Sequence, residues 1–311
     1  MRLKKPKFWD YQKISFWSVI FLPFSMIYLI LISIRRNILL LKNHKKISIP
    51  IICVGNIYIG GTGKTPIAKE VFNIIKSLGK NPAFIKKEYR FLNDEIKMLK
   101  KIGKTFTCKK RQEGISSLLN NNHDVAILDD GFQDFSIKSD LSILCFNSKQ
   151  LIGNGFVLPS GPLREPLNSI TRADCIIING EKNLEFENKI SKFSKEKKIH
   201  IFYSKYQIKD LEKFKDKEIM AFAGIGNPSN FFDLLKENNL NIKNTLSFPD
   251  HHNYSEKDFK KIKENESFKI VTTEKDYYRM SDHQKQNCDF VEVDLEIENK
   301  EKFKDLIKSY L

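Results

Sequence analysis

The sequence predicts an α/β protein with a parallel sheet covered by helices on both faces, a second, smaller α/β domain and an N-terminal membrane-associated helix. Three observations lead to this prediction. Short apolar runs rich in β-branched residues alternate with helical patterns, as in a sheet that is buried on both faces. A glycine-rich loop follows the first of these runs, and a long uncharged stretch precedes it. This order of elements is typical of a parallel sheet with right-handed crossovers.

The uncharged stretch comprises residues 14–34, "ISFWSVIFLPFSMIYLILISI", between Lys13 and Arg35. Its 21 residues would form one helix of about 31 Å at ~1.5 Å per residue, which is close to the thickness of a bilayer core. The small-residue cleavage site of a secretory signal is missing. Pro23 is expected to kink or split the helix.

Basic residues flank this stretch on both sides: Arg2, Lys4, Lys5, Lys7 and Lys13 before it, and Arg35, Arg36, Lys42, Lys45 and Lys46 after it. Basic flanks favour the cytoplasmic side of a membrane and are attracted to anionic lipids. We therefore expect a kinked segment inserted in one leaflet. A transmembrane span and a buried core helix are the alternatives.

The net charge of the chain is +15 and its pI is about 9.4, mostly from lysines spread along the whole length. Such a composition fits a lysine-rich protein with solvated faces, or one attracted to nucleic acid or to an acidic membrane. A nucleic-acid interface would need basic residues interleaved with aromatic ones or a docking helix, and the sequence shows neither. We therefore expect no nucleic-acid partner.

The cysteines show neither metal-ligand nor redox spacing; they are Cys53, Cys108, Cys145, Cys175 and Cys288. Several of them lie inside apolar runs. Buried free thiols in a reducing compartment are the expected state.

Strands are predicted at 48–54, 125–129, 141–146, 174–179, 199–204, 218–223 and 268–272, with helices at 65–78, 95–102, 112–121 and 228–237. The polar stretch 180–198 has a helical pattern, and the charged segment 205–217 is predicted to be a connection. These elements suggest an N-terminal membrane anchor at 1–40, a nucleotide-binding domain at 41–205 and a smaller C-terminal α/β domain at 206–311.

Residues 54–66, "VGNIYIGGTGKTP", resemble the phosphate-binding loop of P-loop proteins. The strict pattern has glycine where this chain has Tyr58, so the match is a near one. The loop glycines can adopt positive φ, Lys64 can reach the β- and γ-phosphates, and the Thr65 hydroxyl can join a Mg²⁺ shell. The following helix, with Pro66 in its first turn, adds a favourable dipole. The predicted nucleotide contacts are Tyr58, Ile59, Gly60, Gly61, Thr62, Gly63, Lys64 and Thr65; an ordinary glycine-rich turn is the alternative.

A second metal contact is predicted in "HDVAILDDGFQD", where Asp129 and Asp130 end a buried apolar run. One aspartate can bind Mg²⁺ directly or through water, while the other contacts the loop or the substrate. We assign Asp129 to the metal and Asp130 to catalysis, although the sequence alone does not distinguish them. Gln133 is assigned to the nucleotide site. A capping pair of aspartates before a turn is the alternative.

Six motifs occur in the order "VGNIYIGGTGKTP", "DDGFQD", "GNGFVLPSGPLREPL", "AFAGIGNPSNFF", "FPDHHNYS" and "TTEKD". Together they resemble the tetraacyldisaccharide 4'-kinase family, the lipid A 4'-kinases of Gram-negative bacteria, over about residues 45–280. The resemblance implies transfer of the γ-phosphate of ATP, with Mg²⁺, to the 4'-hydroxyl of a tetraacylated glucosamine disaccharide 1-phosphate, which makes lipid IVA. It also implies a site of action at the cytoplasmic face of the inner membrane. A monomer is expected.

The resemblance further assigns Asp94, in "FLNDEIKMLKK", as the base that accepts the hydroxyl proton, with Glu95 as a supporting acid. In the family this aspartate pairs with the first histidine of "PDHH", here His251, and a hydrogen bond would fix the carboxylate rotamer. His251 lies in the smaller predicted domain, so this pairing would require the two domains to close around the substrates. A helix N-cap and a solvent-facing loop histidine are the alternatives.

"PSGPLREPL" supplies Arg164 and Glu165 as candidate substrate contacts, because Arg164 could hold a phosphate of the nucleotide or the 1-phosphate of the acceptor. "TTEKD" receives no role. Two segments depart from the family. "KKEYR" at 86–90 replaces the usual "SRGYG", with a nearly deleted loop before Asp94. Asp134 also replaces a common histidine and would add negative charge near Mg²⁺.

Two other functions remain open at this level. A membrane-associated P-loop NTPase or GTPase of another class is one, although "TTEKD" does not fit the usual guanine-recognition pattern. A relative that binds lipid without catalysis is the other, because the "SRGYG" segment is lost.

Overall fold

The computed structural model describes residues 5–11, 13–41, 47–88, 93–194, 197–263 and 267–311. The chain divides into two compact units. Within the described ranges, the large unit contains Lys5–Glu88, Ile102–Lys205 and Ile297–Leu311, and the small unit contains 93–101 and Tyr206–Glu296. The units are therefore interleaved along the chain, whereas the sequence analysis divided it into consecutive domains at 1–40, 41–205 and 206–311.

Several residues named above lie outside the described part of the chain: Arg2, Lys4, Lys42, Lys45, Lys46, Tyr89 and Arg90, together with the side chain of Asn93.

The described residues form the helices α1 (Phe16–Ile20), α2 (Leu22–Leu40), α3 (Lys64–Ser77), α4 (Asn93–Ile102), α5 (Arg111–Asn120), α6 (Leu184–Phe193), α7 (Pro228–Glu237), α8 (Glu256–Ile262), α9 (Glu274–Tyr277), α10 (Asp282–Lys285) and α11 (Lys300–Lys308). They form the strands β1 (Ile51–Gly55), β2 (Pro82–Lys87), β3 (Thr105–Cys108), β4 (Val125–Asp129), β5 (Leu141–Asn147), β6 (Cys175–Asn179), β7 (His200–Ile208), β8 (Ile219–Ala223), β9 (Ile242–Ser247), β10 (Lys269–Thr273), β11 (Asp289–Val291) and β12 (Val293–Ile297).

The larger sheet has, among the described residues, the strand order β12-β7-β6-β5-β1-β4-β2-β3. The pairs from β7 to β3 are parallel. Its central strands β1, β4, β5 and β6 are buried along their whole length, because their apolar, largely β-branched residues can be covered on both faces.

This register determines where the polar strand ends meet. In the parallel pair β1–β4, Val54 is opposite Asp129, so the loop after β1 and the acidic residues after β4 leave the sheet at the same edge. The carboxyl ends of neighbouring parallel strands are where α/β proteins bind their ligands.

The N-terminal helices are divided at Phe21, and Pro23 lies in the first turn of α2, where proline is tolerated. Polar residues on one side of these helices dock onto the segment 154–164. Ser25 Oγ lies 2.8 Å from Ser160 Oγ and donates to Val157 O at 3.0 Å. Tyr28 OH donates to Arg164 O at 2.8 Å.

The other side of these helices exposes large apolar side chains: Phe16, Trp17, Phe24, Met26, Ile27, Ile30, Leu31, Ile34, Ile38 and Leu40. Leu22–Leu40 is long and apolar enough to cross a membrane by length and composition, and it lies near the N-terminus. An apolar patch of this kind marks a membrane or protein contact.

The small unit is a second α/β structure, in which helices pack against a sheet. Its sheet has, within the part of the chain that is described, the order β11-β10-β8-β9, and each neighbouring pair is parallel. One apolar cluster joins it to α7 through Phe231, Phe232 and Leu235. A second cluster, with Phe222, Tyr254 and Phe259, includes a residue of α8.

The sequence predicted the central strands of both sheets and α3, α5 and α7 to within a few residues. It missed β2, β3, β9, β11 and β12. The strands β3, β9, β11 and β12 lie at sheet edges, where strands are often short or polar, and the internal strand β2 ends in two lysines. The prediction that 205–217 is a connection was wrong at its start, because β7 continues to Ile208.

Candidate active site

The loop between β1 and α3 has the backbone conformation of a phosphate cradle. Gly60, Gly61 and Gly63 have φ of +86°, +30° and +82°, a region that glycine adopts without strain. Gly63 is the N-cap of α3, so the positive end of the helix dipole lies at the loop. A ligand with phosphate groups is the kind of anion that this geometry suits.

Asn56 holds the loop from within. Its buried Nδ2 donates to Tyr58 O at 2.6 Å and to Thr62 Oγ1 at 2.8 Å. The Ile59 N–H donates to Pro162 O at 2.9 Å. The loop is thus tied to the segment 154–164 as well as to its own residues.

Tyr58, which replaces the first glycine of the usual pattern, is buried, and its side chain is held by the N-terminal segment. Its hydroxyl accepts a hydrogen bond from Lys5 Nζ at 2.6 Å and donates one to Asp10. The tyrosine ring therefore packs into the fold.

Lys64, Asp130 and Arg164 form a charged cluster beside the loop. Arg164 Nη1 lies 3.0 and 3.2 Å from the two carboxylate oxygens of Asp130, and Lys64 Nζ is 4.0 Å from Asp130 Oδ1. Burial raises the pKa of Asp130, but the charges of Lys64, Arg164 and Lys86 outweigh it and hold the pKa well below its usual range. The carboxylate is therefore ionised between two cations that a phosphate could also engage.

Asp129 lies fully buried at the end of β4. Its Oδ2 accepts a hydrogen bond from Lys86 Nζ at 2.6 Å. Its Oδ1 has no hydrogen-bond partner within the described ranges, which is unusual for a buried carboxylate oxygen.

Asp129 and the Thr65 hydroxyl fit a magnesium ion by their chemistry, since Mg²⁺ prefers oxygen ligands and a buried oxygen of Asp129 is left without a partner. The part of the chain that the structure describes holds no group of three or more His, Cys, Asp or Glu residues suited to a metal. A magnesium ion here would depend on one or two protein oxygens together with phosphates and water, as in other nucleotide sites.

Gln133 and Glu165 belong to one hydrogen-bonded network. Gln133 Nε2 donates to Asn56 O at 2.8 Å and to Glu165 Oε1 at 3.0 Å. Glu165 is buried and forms an ion pair with Arg172 at 2.8 Å, and the Arg172 guanidinium stacks 4.3 Å from the ring centre of Phe132. This network links the phosphate loop to the segment that carries Arg164.

Asp134 does not add free negative charge. Arg111 Nη1 donates to Asp134 Oδ2 at 2.7 Å, and Arg111 Nη2 donates to the carbonyl of Asp130 at 2.8 Å. Burial raises the pKa of Asp134, but hydrogen bonds from Ser136 and Arg111 lower it by more, so the pKa of this carboxyl lies below its usual range. Arg111 thus neutralises the negative charge that Asp134 was expected to add near the metal.

A cleft with a volume of about 130 Å³ lies beside this cluster in the large unit. The helix α2 supplies apolar and basic side chains to it, including Leu29, Ile32, Arg35 and Arg36, and the opposite side carries Arg164 and Asn168. A molecule with an apolar part and an anionic group matches these walls.

Asp94 is the centre of a separate cluster in the small unit. Its Oδ2 lies 2.7 Å from Arg279 Nε and 3.2 Å from His251 Nδ1. Burial raises the pKa of Asp94, but His251, Lys275 and Arg279 lower it more, so it lies well below the usual range. Glu95 accepts a hydrogen bond from Lys275 Nζ at 3.0 Å.

The "TTEKD" motif supports this cluster. Asp276 is fully buried and accepts hydrogen bonds from the Gly224 N–H at 3.0 Å, Tyr254 OH at 2.8 Å and Arg279 Nη1 at 2.8 Å. His251, at a φ of +56°, donates its N–H to Gly224 O at 3.0 Å. The carboxyl ends of β8, β9 and β10 thus converge on one network that fixes Arg279 and His251 around Asp94.

The structure therefore groups the predicted residues in two sets. Lys64, Thr65, Asp129, Asp130, Gln133, Arg164 and Glu165 lie in the large unit, and Asp94, Glu95 and His251 lie in the small unit. Sequence reasoning missed Lys86, Arg111, Arg172, Asp276 and Arg279 as partners of these residues. A single basic or acidic residue in a charged run carries no signal of burial, so only Asp276 in "TTEKD" and Lys86 in "KKEYR", which lie inside quoted segments, could have been singled out.

Comparison with known proteins gives consistent results. The family model described as tetraacyldisaccharide-1-P 4'-kinase matches residues 17–311. A tetraacyldisaccharide 4'-kinase of Pelagibacter ubique is 41% identical over 303 residues, covering 96% of this chain and 95% of the relative. A tetraacyldisaccharide 4'-kinase of Rickettsia canadensis is 33% identical over 323 aligned positions, with the same coverage of 96% and 95%. The crystal structure of LpxK from Aquifex aeolicus in complex with ATP is similar with a TM-score of 0.73 and 27% identity, covering 94% of this chain and 99% of that chain.

Proposed function

Since the chain belongs to the tetraacyldisaccharide 4'-kinase family, we propose that it transfers the terminal phosphate of ATP to the 4'-hydroxyl of a tetraacyldisaccharide 1-phosphate, making lipid IVA. The observation that carries this proposal is the glycine loop ending in Lys64 and Thr65. At the same sheet edge lies Asp129, a buried aspartate with one unpartnered oxygen.

The large unit binds the nucleotide. The amides of Gly60–Gly63 and the N-terminus of α3 hold the phosphates. Lys64 and Arg164, which both neighbour Asp130, neutralise the charge that spreads over the phosphoryl oxygens during transfer. Thr65 and Asp129 would hold Mg²⁺, which when bound supplies further charge neutralisation on the phosphates.

Asp94 accepts the proton of the 4'-hydroxyl. Its low pKa keeps it ionised at neutral pH, although it is a weak base for the same reason. A weak base is sufficient when the proton leaves late in a loose transition state. Arg279 and His251 hold the carboxylate in one orientation, so that the hydroxyl meets it in a fixed geometry.

The acceptor is a glycolipid, and the N-terminal helices support its capture. The exposed apolar side chains of α1 and α2 insert into one leaflet, while Ser25 and Tyr28 keep α2 attached to the large unit. Arg35, Arg36 and Arg164 in the cleft would receive the anionic 1-phosphate beside the membrane surface. The protein then acts on the cytoplasmic face of the inner membrane.

The decisive experiment supplies γ-labelled ATP and purified tetraacyldisaccharide 1-phosphate in detergent micelles and separates the lipids by thin-layer chromatography. We expect a labelled bisphosphorylated lipid from the wild type and none from Lys64→Met. Unlabelled GTP should not compete. Transfer of label to water alone, or competition by GTP, would favour an NTPase of another class. Lipid binding without any transfer would indicate a non-catalytic relative.

A further inference from the structure

Lys86 and Asp129 form an ion pair inside the large unit. Lys86 Nζ lies 2.6 Å from Asp129 Oδ2, and the two side chains are 2% and 0% exposed. Breaking such a pair by removing one partner leaves the other as an uncompensated buried charge, which is strongly destabilising. Each residue of the pair therefore depends on the other for its counter-charge.

The sheet itself brings these side chains together. Lys86 on β2 is directly opposite Asp129 on β4 in the parallel ladder. Partners in register point to the same face of a sheet.

The two oxygens of Asp129 are used differently. Oδ2 accepts the hydrogen bond from Lys86, whereas Oδ1 is buried and lacks a hydrogen-bond partner among the described residues. One oxygen is thus committed to the protein and the other is left for a ligand.

We propose that Lys86 is a positioning residue for the metal carboxylate, which rests on the proposed function of Asp129. Lys86 holds Asp129 by Oδ2, neutralises it before Mg²⁺ and ATP bind, and leaves Oδ1 as the oxygen that serves the metal. Without Lys86, the metal ion would be the main counter-charge of Asp129. The folded protein would then depend on Mg²⁺ and nucleotide more than the wild type does.

The test compares four full-length proteins in one detergent with EDTA: wild type, Lys86→Met, Asp129→Asn and the double variant. Lys86→Met should lower the melting temperature by about 5–15 °C in the wild-type background. In the Asp129→Asn background the same change should leave the melting temperature unchanged or raise it, because no buried carboxylate remains. Lys76→Met, which removes an exposed lysine of α3, is the matched control and should have little effect.

A second measurement adds Mg²⁺ and a non-hydrolysable ATP analogue. The rise in melting temperature should be larger for Lys86→Met than for the wild type. An equal loss of stability in both backgrounds would overturn the proposal, since Lys86 would then act only through packing. An equal rise on adding magnesium and nucleotide would overturn its role toward the metal.

If Lys86→Met yields no folded protein, recovery in the double variant supports the proposal and failure to recover contradicts it. None of these melting measurements requires phosphoryl transfer. An enzyme that binds Mg²⁺ and nucleotide but does not phosphorylate the lipid would therefore overturn the proposed function alone.

Discussion

At Asp94, three basic side chains act on one buried carboxylate. Arg279 and His251 contact it directly, and Lys275 adds charge from nearby. The cluster keeps the acid ionised despite its burial, and it also fixes the rotamer. These two effects are what a proton acceptor in phosphoryl transfer requires.

Asp94→Asn preserves the shape of the side chain but removes the proposed proton acceptor. We expect kcat to fall by roughly 10²–10⁴, while the affinity for ATP stays nearly the same because the phosphate loop is unaffected. Single-turnover phosphorylation and binding of a fluorescent ATP analogue would measure the two effects. Glu237→Gln, an exposed acid on α7, is the control and should leave both unchanged. A fully active Asp94→Asn protein would move the role of base to another residue.

The pH dependence follows from the sign of the pKa shift at Asp94. Because its pKa in the folded protein is depressed, the unfolded chain binds more protons near pH 4, and stability is lost as the pH falls through that region. Asp94 should therefore stay ionised from about pH 5 upward, and the acid limb of the kcat profile should lie below that pH.

Arg279→Met removes one cause of the low pKa, so the acid limb of kcat should move to higher pH and the loss of rate should grow as the pH falls. Profiles of kcat for the wild type and Arg279→Met from about pH 8 down to the acid limb would show it. Arg279→Lys keeps a positive charge near Asp94 and should return the acid limb part of the way to its wild-type position. Parallel profiles of wild type and Arg279→Met would limit Arg279 to a structural role.

At the scale of elements, α2 has two different sides. Ser25 and Tyr28 attach the helix to the segment 154–164 through hydrogen bonds, whereas Ile27, Ile30 and Ile34 are 55%, 58% and 51% exposed. A helix with one attached and one apolar exposed side is suited to lie in a membrane interface.

The triple variant with Ile27, Ile30 and Ile34 changed to Ser should bind anionic liposomes about 10²–10³-fold more weakly, because about half of each isoleucine is exposed and burying that half contributes roughly 0.8–1.5 kcal/mol. Activity on substrate in detergent should persist. Co-sedimentation with liposomes and the micellar assay would measure the two properties.

The matched control is Ser25→Ala, which breaks the attachment of α2 at Ser160. It should lower the melting temperature while liposome binding stays close to that of the wild type. Unchanged liposome binding by the triple isoleucine variant would argue against insertion of this face.

At the scale of the whole molecule, the two units are interleaved along the chain. The segment 89–101, which carries Asp94, is separated in sequence from 206–296, which carries its partners. The last helix, α11, belongs instead to the large unit. Neither unit is therefore a continuous piece of the chain.

A fragment of residues 206–311 should accordingly fail to fold as an independent domain. It would lack α4, so Arg279 would be buried without Asp94, and α11 would be without its large-unit neighbours, such as Glu70, which pairs with Lys300. Circular dichroism during heating should show no cooperative transition. A fragment that melts in one cooperative transition and keeps the Arg279 side chain buried would contradict this expectation.

The sequence by itself determined the α/β class, the phosphate loop and the central strands, because these depend on local patterns: β-branched apolar runs, glycines that adopt positive φ, and a lysine and threonine at a helix start. It also predicted an N-terminal helix interrupted near Pro23. Each of these features depends only on residues that are close to one another in the sequence.

The tertiary structure alone decided which charged residues are partners. Lys86 meets Asp129 across a sheet, Arg111 meets Asp134, and Arg279 meets Asp94 over 185 positions in the chain. In a chain with 53 basic and 38 acidic residues, a pattern cannot choose among so many possible pairs. The choice is made by burial, since a charge removed from water must find its counter-charge wherever strand register and helix packing place one.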